Sequence, residues 1–529
     1  MRPPCDEAVI GSGTLDAPCG PGAGPWILTA AILGSSMTFI DSTVVNVALP
    51  ALQSSLGATV IDVQWVIESY GLFLGALILA GGSAGDLLGR RRVFLAGVTV
   101  FAVASAWCGL APTIRQLIIA RALQGAGAAF LVPGSLAIIS ASFAEKQRGR
   151  AIGTWSGFTS ITAAMGPVLG GWLIEHASWR WAFLLNLPLA IAVIAISLAR
   201  VPESRSRTAK GVDWLGTAVA TLGLGGLVYG FIESSSRGLS HPLVYASLLV
   251  GAAGLFSFPL VEERATSPMV PPELFRSRTF TGANLLTFFL YAALGIFFFV
   301  IPLNLIQVQG YTSTGAGAAM LPLILLMFIL SRWSGGLVVS YGPKLPLIAG
   351  PLIAALGFLL FTIPAIGGSY WTTFFPAFLV LGLGMAVTVA PLTTVVMDSV
   401  GQDRSGTASG INNAVARVAG LLAIAVLGIV ILHAFRHQLD QQLANLGIAP
   451  AVRQQLDANS IKLAALEVPV DVAPAMQATL KAVIGRSFLL AFRLAAWICV
   501  VLAVASAACA RWLIESRAAA PAPAPVPAR

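Results

Sequence analysis

Three ionisable residues, Asp41, Glu68 and Arg121, interrupt long apolar stretches near the start of the chain. Charged groups are costly in lipid and are kept there mainly where they face a bundle interior or a water-filled pathway. If Pro50 marks the outer end of its helix, Asp41 lies roughly 13 Å inside and Arg121 roughly 8 Å inside its own helix, at about 1.5 Å per residue. We therefore predict one cluster of these three side chains in the outer half of a membrane.

Such a cluster has the chemistry for proton exchange. A low dielectric disfavours the charged form of a carboxylate, while a neighbouring Arg favours it. A shared network can thus keep Arg121 charged and let an acid titrate, which is what a proton-coupled carrier requires. Two alternatives stay open. Asp41 could act only as a helix-packing acceptor, and Glu68 could be shallow enough to be solvated.

The composition indicates a polytopic membrane protein. Of the 529 residues, 57% are hydrophobic and 10% charged, and the mean hydropathy is +0.85, which is too apolar for a soluble protein. About fourteen stretches approach the length that crosses a hydrocarbon core. All should be helices, because lipid offers no partner to free backbone groups. They lie approximately at 26–48, 64–85, 93–111, 116–140, 151–174, 180–199, 213–232, 242–261, 280–303, 315–338, 345–366, 371–396, 406–433 and 488–513.

Basic residues concentrate in alternate loops, as is typical of loops that stay cytoplasmic. They are Arg90, Arg91, Arg92, Lys146, Arg148, Arg150, Arg200, Arg205, Arg207, Lys210, Arg264, Arg276, Arg278 and Lys344. With an even number of spans, this bias predicts the cytoplasmic (inner) membrane with both termini cytoplasmic. It also assigns the net charge of +9 to topology, with no nucleic-acid partner. The first 25 residues have no apolar core, so we expect no cleavable signal peptide, and the cysteines show neither disulfide nor metal-ligand spacing.

A weak internal repeat predicts two six-helix lobes. The segment from Gly82 to Arg91 has an echo from Gly335 to Lys344, and Arg148–Gly153 has one in Arg404–Gly410. Repeated six-helix halves are a transporter design with substrate bound between them. The predicted organisation is a tail (1–25), a first lobe (26–200), linkers with two inserted helices (201–279), a second lobe (280–513) containing a long outer loop (434–487), and a disordered Ala/Pro tail (514–529).

A charged turn follows the second predicted helix. It contains Gly82, Asp86, Gly89, Arg90 and Arg91. The glycines permit a sharp turn, and Asp86 can accept hydrogen bonds from backbone N–H groups or from Arg side chains across the lobe interface. We predict a gating loop, the alternative being arginines that only anchor the topology.

The fifth predicted helix is rich in small residues. Its motif is Gly166, Pro167, Gly170 and Gly171. Small residues let helices approach closely, and a proline inside a helix removes a backbone hydrogen bond and permits a bend. We expect tight packing there that seals the interface or lets it rock.

Polar and aromatic residues in several helices are candidates for a substrate cavity. They are Asn46, Gln124, Asn284, Phe288, Phe298, Asn304, Asn412, Asn413 and Arg417. Aromatic residues could line a cavity for lipophilic compounds, but they face lipid or core more often. Arg417 lies near mid-membrane by residue count and needs a partner or water that the sequence does not identify.

Together these motifs resemble the major facilitator superfamily, and within it the fourteen-span drug:proton antiporters. The resemblance rests on the Gly82–Arg91 loop, Arg121-x-x-Gln124-Gly125-x-Gly127, Gly166-Pro167-x-x-Gly170-Gly171, Asp41–Pro50, Asp213–Gly216 and Ser409–Asn413, and it covers about 26–513. It implies the major facilitator fold, alternating access, proton-driven export, coupling roles for Asp41 and Arg121 and a gating contact for Asp86. Thr162 and Leu87 depart from the usual motifs, where Gly and Arg are frequent.

The sequence thus predicts an all-α transporter that exports lipophilic or amphipathic, including cationic, small molecules in exchange for protons. Alternatives are an exporter dedicated to one antibiotic or metabolite, and a membrane sensor or scaffold that transports nothing. The sequence contains no phosphate-binding loop, metal cluster or nucleophile constellation, so we expect neither an enzyme nor a cofactor. The proton is the expected coupling ion. The family default is a monomer in the lipid bilayer.

Overall fold

The computed structural model describes residues 22–516, except 144, 206–210, 401–404, 445, 447, 449, 467 and 469–471. Most of both predicted tails therefore lies outside the described residues. So do Arg207, Lys210 and Arg404 of the charge and repeat patterns, and the side chains of Lys146, Arg148 and Arg150.

Each of the fourteen predicted stretches coincides with a helix, which confirms the all-α fold. The helices are α1 (Gly24–Leu56), α2 (Val60–Leu88), α3 (Arg90–Leu110), α4 (Ile114–Ser142), α5 (Glu145–His176), α6 (Asn186–Arg200, after a turn at Trp181–Leu184), α7 (Trp214–Arg237), α8 (Pro242–Arg264), α9 (Arg278–Leu303), α10 (Ser313–Ala319, Leu321–Gly335 and Leu337–Tyr341), α11 (Lys344–Leu360), α12 (Phe374–Asp398), α13 (Ser405–Ala444) and α14 (Pro474–Leu513). Within the described residues, twelve helical segments are long and apolar enough to cross a membrane.

Local signals fix several helix ends. Thr59 and Asp62 form a reciprocal capping box at the start of α2, and the Asp213 side chain accepts from Gly216 N–H at the start of α7. These contacts satisfy backbone donors that a helix leaves unpaired at its first turn. Gly57 ends α1 in the left-handed region at φ +61°. According to the predicted topology, the end of α1 at Leu56 lies on the outer side of the membrane and the α2–α3 turn at Gly89 on the inner side.

The helices form two lobes with α7 and α8 placed against them. In the first lobe α4 packs on α2 and α3, and α1 packs on α5; in the second, α9 packs on α13 and α14, and α11 on α12. The inserted helix α7 contacts α2 of one lobe and α13 of the other, while α8 packs mainly on α7. The insertion therefore covers one seam between the lobes.

The segment predicted as a long outer loop at 434–487 is largely helical among its described residues. The helix α13 extends to Ala444 and α14 begins at Pro474, with a short helix at Pro450–Asn459 and a 3-10 segment at Ser460–Ala465 between them. The 3-10 segment contacts α1, α2, α13 and α14. It therefore lies over the outer end of both lobes.

Candidate transport pathway

Asp41 of α1 and Arg121 of α4 form an ion pair in the interior of the first lobe. Arg121 Nη1 donates to Asp41 Oδ2 and to Gln124 Oε1, the latter at 2.8 Å. Gln124 Nε2 in turn donates to Asp41 Oδ1 at 2.8 Å. Asp41 and Gln124 are 0% exposed and Arg121 is 1% exposed. The structure thus brings two of the three predicted cluster members together, and it places Gln124 with them instead of in a cavity.

Two further residues complete the shell around Asp41. Asn186 Nδ2, at the start of α6, lies 3.3 Å from Asp41 Oδ1 and 3.0 Å from Ser105 Oγ of α3. Gln124 Nε2 also lies 3.2 Å from Ser105 Oγ. Neither Asn186 nor Ser105 is among the site residues predicted from the sequence, where the only signal for each was a single polar side chain in an apolar helix. Asp41 thus accepts hydrogen bonds from side chains of α4 and α6.

The guanidinium of Arg121 is fixed on its other side by α2. Its Nε donates to the Val66 carbonyl oxygen at 3.1 Å, and its Cζ lies 4.1 Å from the centroid of the Tyr70 ring. A buried Arg is tolerated only when its charge is paired and its donors are used. The pair therefore ties together α1, α2 and α4, with α3 and α6 attached through the amide and hydroxyl groups.

Glu68 lies apart from this cluster. It is 0% exposed, and neither of its carboxylate oxygens has a hydrogen-bond partner. It shares a face of α2 with Gln64 and Gly71, which contact α13, whereas Val66 and Tyr70 face Arg121. The two acids predicted as one cluster thus occupy different environments.

A cavity of about 530 Å³ lies between the lobes. None of its described lining residues is charged, and apolar side chains predominate. They are Thr43, Asn46, Pro167, Phe298, Met320, Leu323, Ile324, Met327, Phe328, Ala386, Val389, Ala390, Thr393 and Thr394. Pockets for drug-sized ligands have this size and this mainly apolar character. Of the predicted cavity residues, Asn46 and Phe298 line it.

Two of the other predicted cavity residues, Asn284 and Asn412, contribute to packing between α9 and α13. Asn412 Nδ2 donates to Thr287 Oγ1 at 2.7 Å and to Asn284 Oδ1 at 3.1 Å. The adjacent Asn413 is exposed and donates to the Ser409 carbonyl of its own helix. Phe288 packs edge-to-face on Phe289.

Asn304 and Arg417 also lie outside the set that lines the cavity. Asn304 is buried in a π turn after α9 and accepts from Gln309 at 3.4 Å. Arg417 is half-buried and faces α2, where a Cβ added to Gly75 would lie 3.7 Å from the Arg417 Cβ. Among the described residues no carboxylate lies within ion-pair distance of Arg417.

The predicted gating loop makes its charged contacts within its own turn and with the linker that follows the first lobe. Asp86 Oδ1 accepts from Arg90 at 2.8 and 2.9 Å, and the Arg91 backbone N–H donates to Glu203 Oε1 at 3.0 Å. Gly89 has φ +111°, and a Cβ there would lie 2.7 Å from Glu203. These contacts explain why the turn requires glycine. The Asp86 side chain is 41% exposed. It lines an inner cavity of about 940 Å³ together with Ser83 of α2 and Thr407 of the second lobe.

The glycines of α5 make close contacts on two sides. A Cβ on Gly166 would collide with Thr43 of α1, and one on Gly170 would lie 2.6 Å from Val44. Gly171 instead abuts the Ser313 carbonyl at the start of α10, where Gly317 abuts the Pro167 carbonyl in return. The motif therefore packs α5 on its own lobe and also closes the outer end of the seam with the other lobe.

Polar contacts close the same outer end. Gln307 Nε2 donates to Gln53 Oε1 at 2.9 Å, and the Thr314 backbone N–H lies 3.4 Å from Glu175 Oε2. Each of these contacts joins the first lobe to the second. The structure thus holds the lobes together on the outer side, with an apolar cavity between them.

A helical bundle of two lobes around an apolar cavity, with charged residues buried in one lobe, is the architecture of a membrane transporter. Residues 31–424 match the Major Facilitator Superfamily, and the chain belongs to that family. It is 36% identical over 412 residues to the multidrug resistance protein Stp of Mycobacterium tuberculosis (strain CDC 1551 / Oshkosh), covering 76% of this chain and 75% of Stp.

Other relatives carry drug-resistance names. The tetracenomycin C resistance and export protein of Streptomyces glaucescens is 32% identical, with 77% of this chain and 76% of the relative covered. The multidrug transporter protein MdtP of Bacillus subtilis (strain 168) is 31% identical, with 76% and 74% covered. A bacterial homolog of the human lysosomal transporter Spinster, solved inward-facing and unoccupied, has the same fold: TM-score 0.65, 17% identity, 94% of this chain and 99% of that chain covered.

Proposed function

We propose that this protein exports lipophilic or amphipathic drugs across the cytoplasmic membrane in exchange for protons, by alternating access. The apolar cavity of about 530 Å³ between the lobes carries the proposal. Its position lets a substrate reach one side of the membrane or the other as the lobes rock about it. Drug-resistance relatives that match about three quarters of the chain support export as the direction.

The lining favours lipophilic over charged substrates. Burial of apolar surface supplies the binding energy in such a pocket, while the few polar groups, here Asn46 and three threonines, orient the ligand. None of the described lining residues is acidic, so they offer no counter-charge to a cation. An amphipathic cation would therefore gain its binding energy from its apolar part.

Proton coupling is assigned to Asp41, with Arg121 as its counter-charge and Glu68 as a second acid. To couple the two fluxes, the proton and the drug must favour different states of the carrier or compete for one of them. Protonation of Asp41 would release Arg121 from its ion pair and loosen the contacts among α1, α2 and α4.

The basic residues of the inner loops support a topology with both termini in the cytoplasm. We propose that the protein is a monomer.

A dedicated exporter of one antibiotic is the second candidate. It is favoured by the relatives named for a single compound, tetracenomycin C in one case and puromycin in another. The two candidates differ in how many unrelated compounds are exported, whereas the proposed proton coupling is common to both.

The cavity is tested by efflux of a panel of unrelated lipophilic dyes from cells that express the chain, with Phe298→Ala and Phe288→Ala as a matched pair. Phe298 lines the cavity, whereas Phe288 packs on Phe289 away from it. We expect Phe298→Ala to lower efflux of several dyes about tenfold, as loss of one buried aromatic contact of about 1.4 kcal/mol predicts, and Phe288→Ala to retain it. Equal efflux by both variants would contradict a substrate site at this cavity.

A further inference from the structure

The threonine hydroxyl groups of the apolar cavity donate their hydrogens to their own helices. Thr43 Oγ1 donates at 2.9 Å to the carbonyl oxygen four residues earlier in α1. In α12, Thr393 and Thr394 donate to the carbonyl oxygens four residues earlier, at 3.0 and 3.2 Å. A hydroxyl group has one hydrogen and two lone pairs. Because the hydrogen is used within the helix, each of these three groups has only lone pairs left for a ligand.

The side-chain amide of Asn46 is bound in a similar way. Its Nδ2 donates at 3.2 Å to the Ser42 carbonyl oxygen, one turn earlier in α1. Among the described residues, no group donates to Asn46 Oδ1 or to the hydroxyl oxygens of the three cavity threonines. The amide therefore offers a ligand its carbonyl oxygen and one remaining N–H hydrogen.

The other described lining side chains add acceptors and no donors. Met320 and Met327 carry thioether sulfurs, which accept weakly and have no hydrogen to donate. Phe298 has an aromatic ring whose faces are electron-rich. Pro167 lacks even a backbone N–H group. The side chains that line this cavity therefore present several acceptors and a single available donor, the second N–H of Asn46.

A cavity with this imbalance favours ligands that donate hydrogen bonds. The hydrocarbon core of the bilayer has no acceptor for a ligand's O–H or N–H group, so a ligand that enters from lipid gains a hydrogen bond in the cavity without losing an earlier one. A ligand that has only acceptors would instead leave them unpaired in an apolar site, which costs free energy. Anions are disfavoured for the same reason.

We propose that the cavity between the lobes selects lipophilic substrates that donate a hydrogen bond, namely those with a phenol, alcohol or N–H group, including protonated amines. The inference rests on the proposed export function and names the substrate class of the same site. Thr393, which is exposed, and Thr394, which is half-buried, are the acceptors that set the preference. Among amphipathic cations, protonated amines are favoured over quaternary ammonium compounds, because the latter have no N–H group.

The preference is measured with pairs of fluorescent compounds that differ by one N–H group. Binding of N-phenyl-1-naphthylamine and of carbazole to the full-length protein in lipid nanodiscs is compared with binding of their N-methyl derivatives, after subtraction of partition into empty nanodiscs. We expect the dissociation constant of each N-methyl compound to be about fivefold higher, as loss of one hydrogen bond between uncharged groups predicts. A cavity without acceptors would bind the N-methyl compounds at least as tightly, since they have more apolar surface.

The double variant Thr393→Val/Thr394→Val replaces both hydroxyl groups with methyl groups of similar size. It should bring the ratio of the two dissociation constants to about one, because the acceptors are gone. The matched control is Thr99→Val/Thr221→Val, two threonines that make the same bond to the carbonyl four residues earlier but are not among the described lining residues. It should keep the fivefold ratio.

Four results would overturn the proposal. They are a ratio unchanged in Thr393→Val/Thr394→Val, a ratio also lost in the control, equal or tighter binding of the N-methyl compounds by the unmodified chain, and no saturable binding of any of the four compounds. Export is measured separately in inside-out vesicles with an acidic lumen. Absence of protonophore-sensitive accumulation of N-phenyl-1-naphthylamine there would contradict the proposed function and leave the binding preference standing.

Discussion

At the scale of single residues, two buried carboxylates of one lobe have opposite surroundings. Asp41 accepts from Arg121, Gln124 and Asn186, whereas Glu68 has no donor. Acids whose environments favour different charge states can take different roles in one mechanism. Asp41 is thus held by donors of its own lobe, whereas Glu68 lies on the side of α2 that carries the contacts of Gln64 and Gly71 with α13.

The neighbouring asparagines of α13 give a test of packing at this scale. Asn412→Ala removes the hydrogen bonds to Thr287 and Asn284, and we expect it to lower the free energy of unfolding by about 0.5–2 kcal/mol, the range found for hydrogen bonds between membrane helices. Asn413→Ala, at an exposed position, should change it by less than about 0.5 kcal/mol. Thermal unfolding of both variants in the same detergent measures this, and equal losses would contradict the assigned contacts.

The sequence predicted that Asp41 and Arg121 lie together, but not how the helices around them are rotated. Intramembrane charges are rare enough that Asp41 and Arg121 could be paired by type and depth alone. The rotation of each helix about its axis could not be read, since it depends on packing against helices far away in sequence. Gln124, predicted to line the cavity, instead donates to Asp41. Glu68, predicted to join Asp41 and Arg121, instead lies on the side of α2 that contacts α13.

At the scale of elements, the outer end of the interface depends on two crossing helices. In α5 and α10, Gly171 abuts Ser313 and Gly317 abuts the carbonyl of Pro167, so the backbones meet with no room for a side chain. The sequence predicted tight packing at the α5 glycines from their small size. It could not show that Gly166 and Gly170 pack within one lobe while Gly171 packs across to the other.

Gly171→Ala should therefore prevent outer closure. A Cβ there collides with backbone, which cannot move aside as a flexible side chain could. With spin labels at Ser54 of α1 and Ser369 of the α11–α12 loop, both exposed, we expect double electron–electron resonance to give a longer distance than in the unmodified chain. We expect efflux to fall at least tenfold. Gly335→Ala in α10, where a Cβ meets nothing within 4 Å, is the control and should retain both properties; a closed outer side in Gly171→Ala would refute the role of this contact.

At the scale of the whole molecule, two lobes and an insertion share one outer seam. The inserted helix α7 packs on α2 and α13 together, and Trp65 Nε1 donates to its Glu233 at 3.1 Å. The fourteen helices and the fold class could be predicted because a stretch of about 20 apolar residues is a strong signal for a membrane-spanning helix. The position of α7 across the seam could not, since many lipid-facing surfaces would accept an apolar helix equally well.

Coupling of drug export to protons through Asp41 is tested most directly in inside-out vesicles with an acidic lumen. Accumulation of a fluorescent lipophilic compound is compared for the unmodified chain, Asp41→Asn and the control Asp398→Asn, an exposed acid at the inner end of α12. We expect accumulation by the unmodified chain and the control to collapse on addition of a protonophore, and none by Asp41→Asn. Full protonophore-sensitive accumulation by Asp41→Asn would contradict the coupling role of this residue.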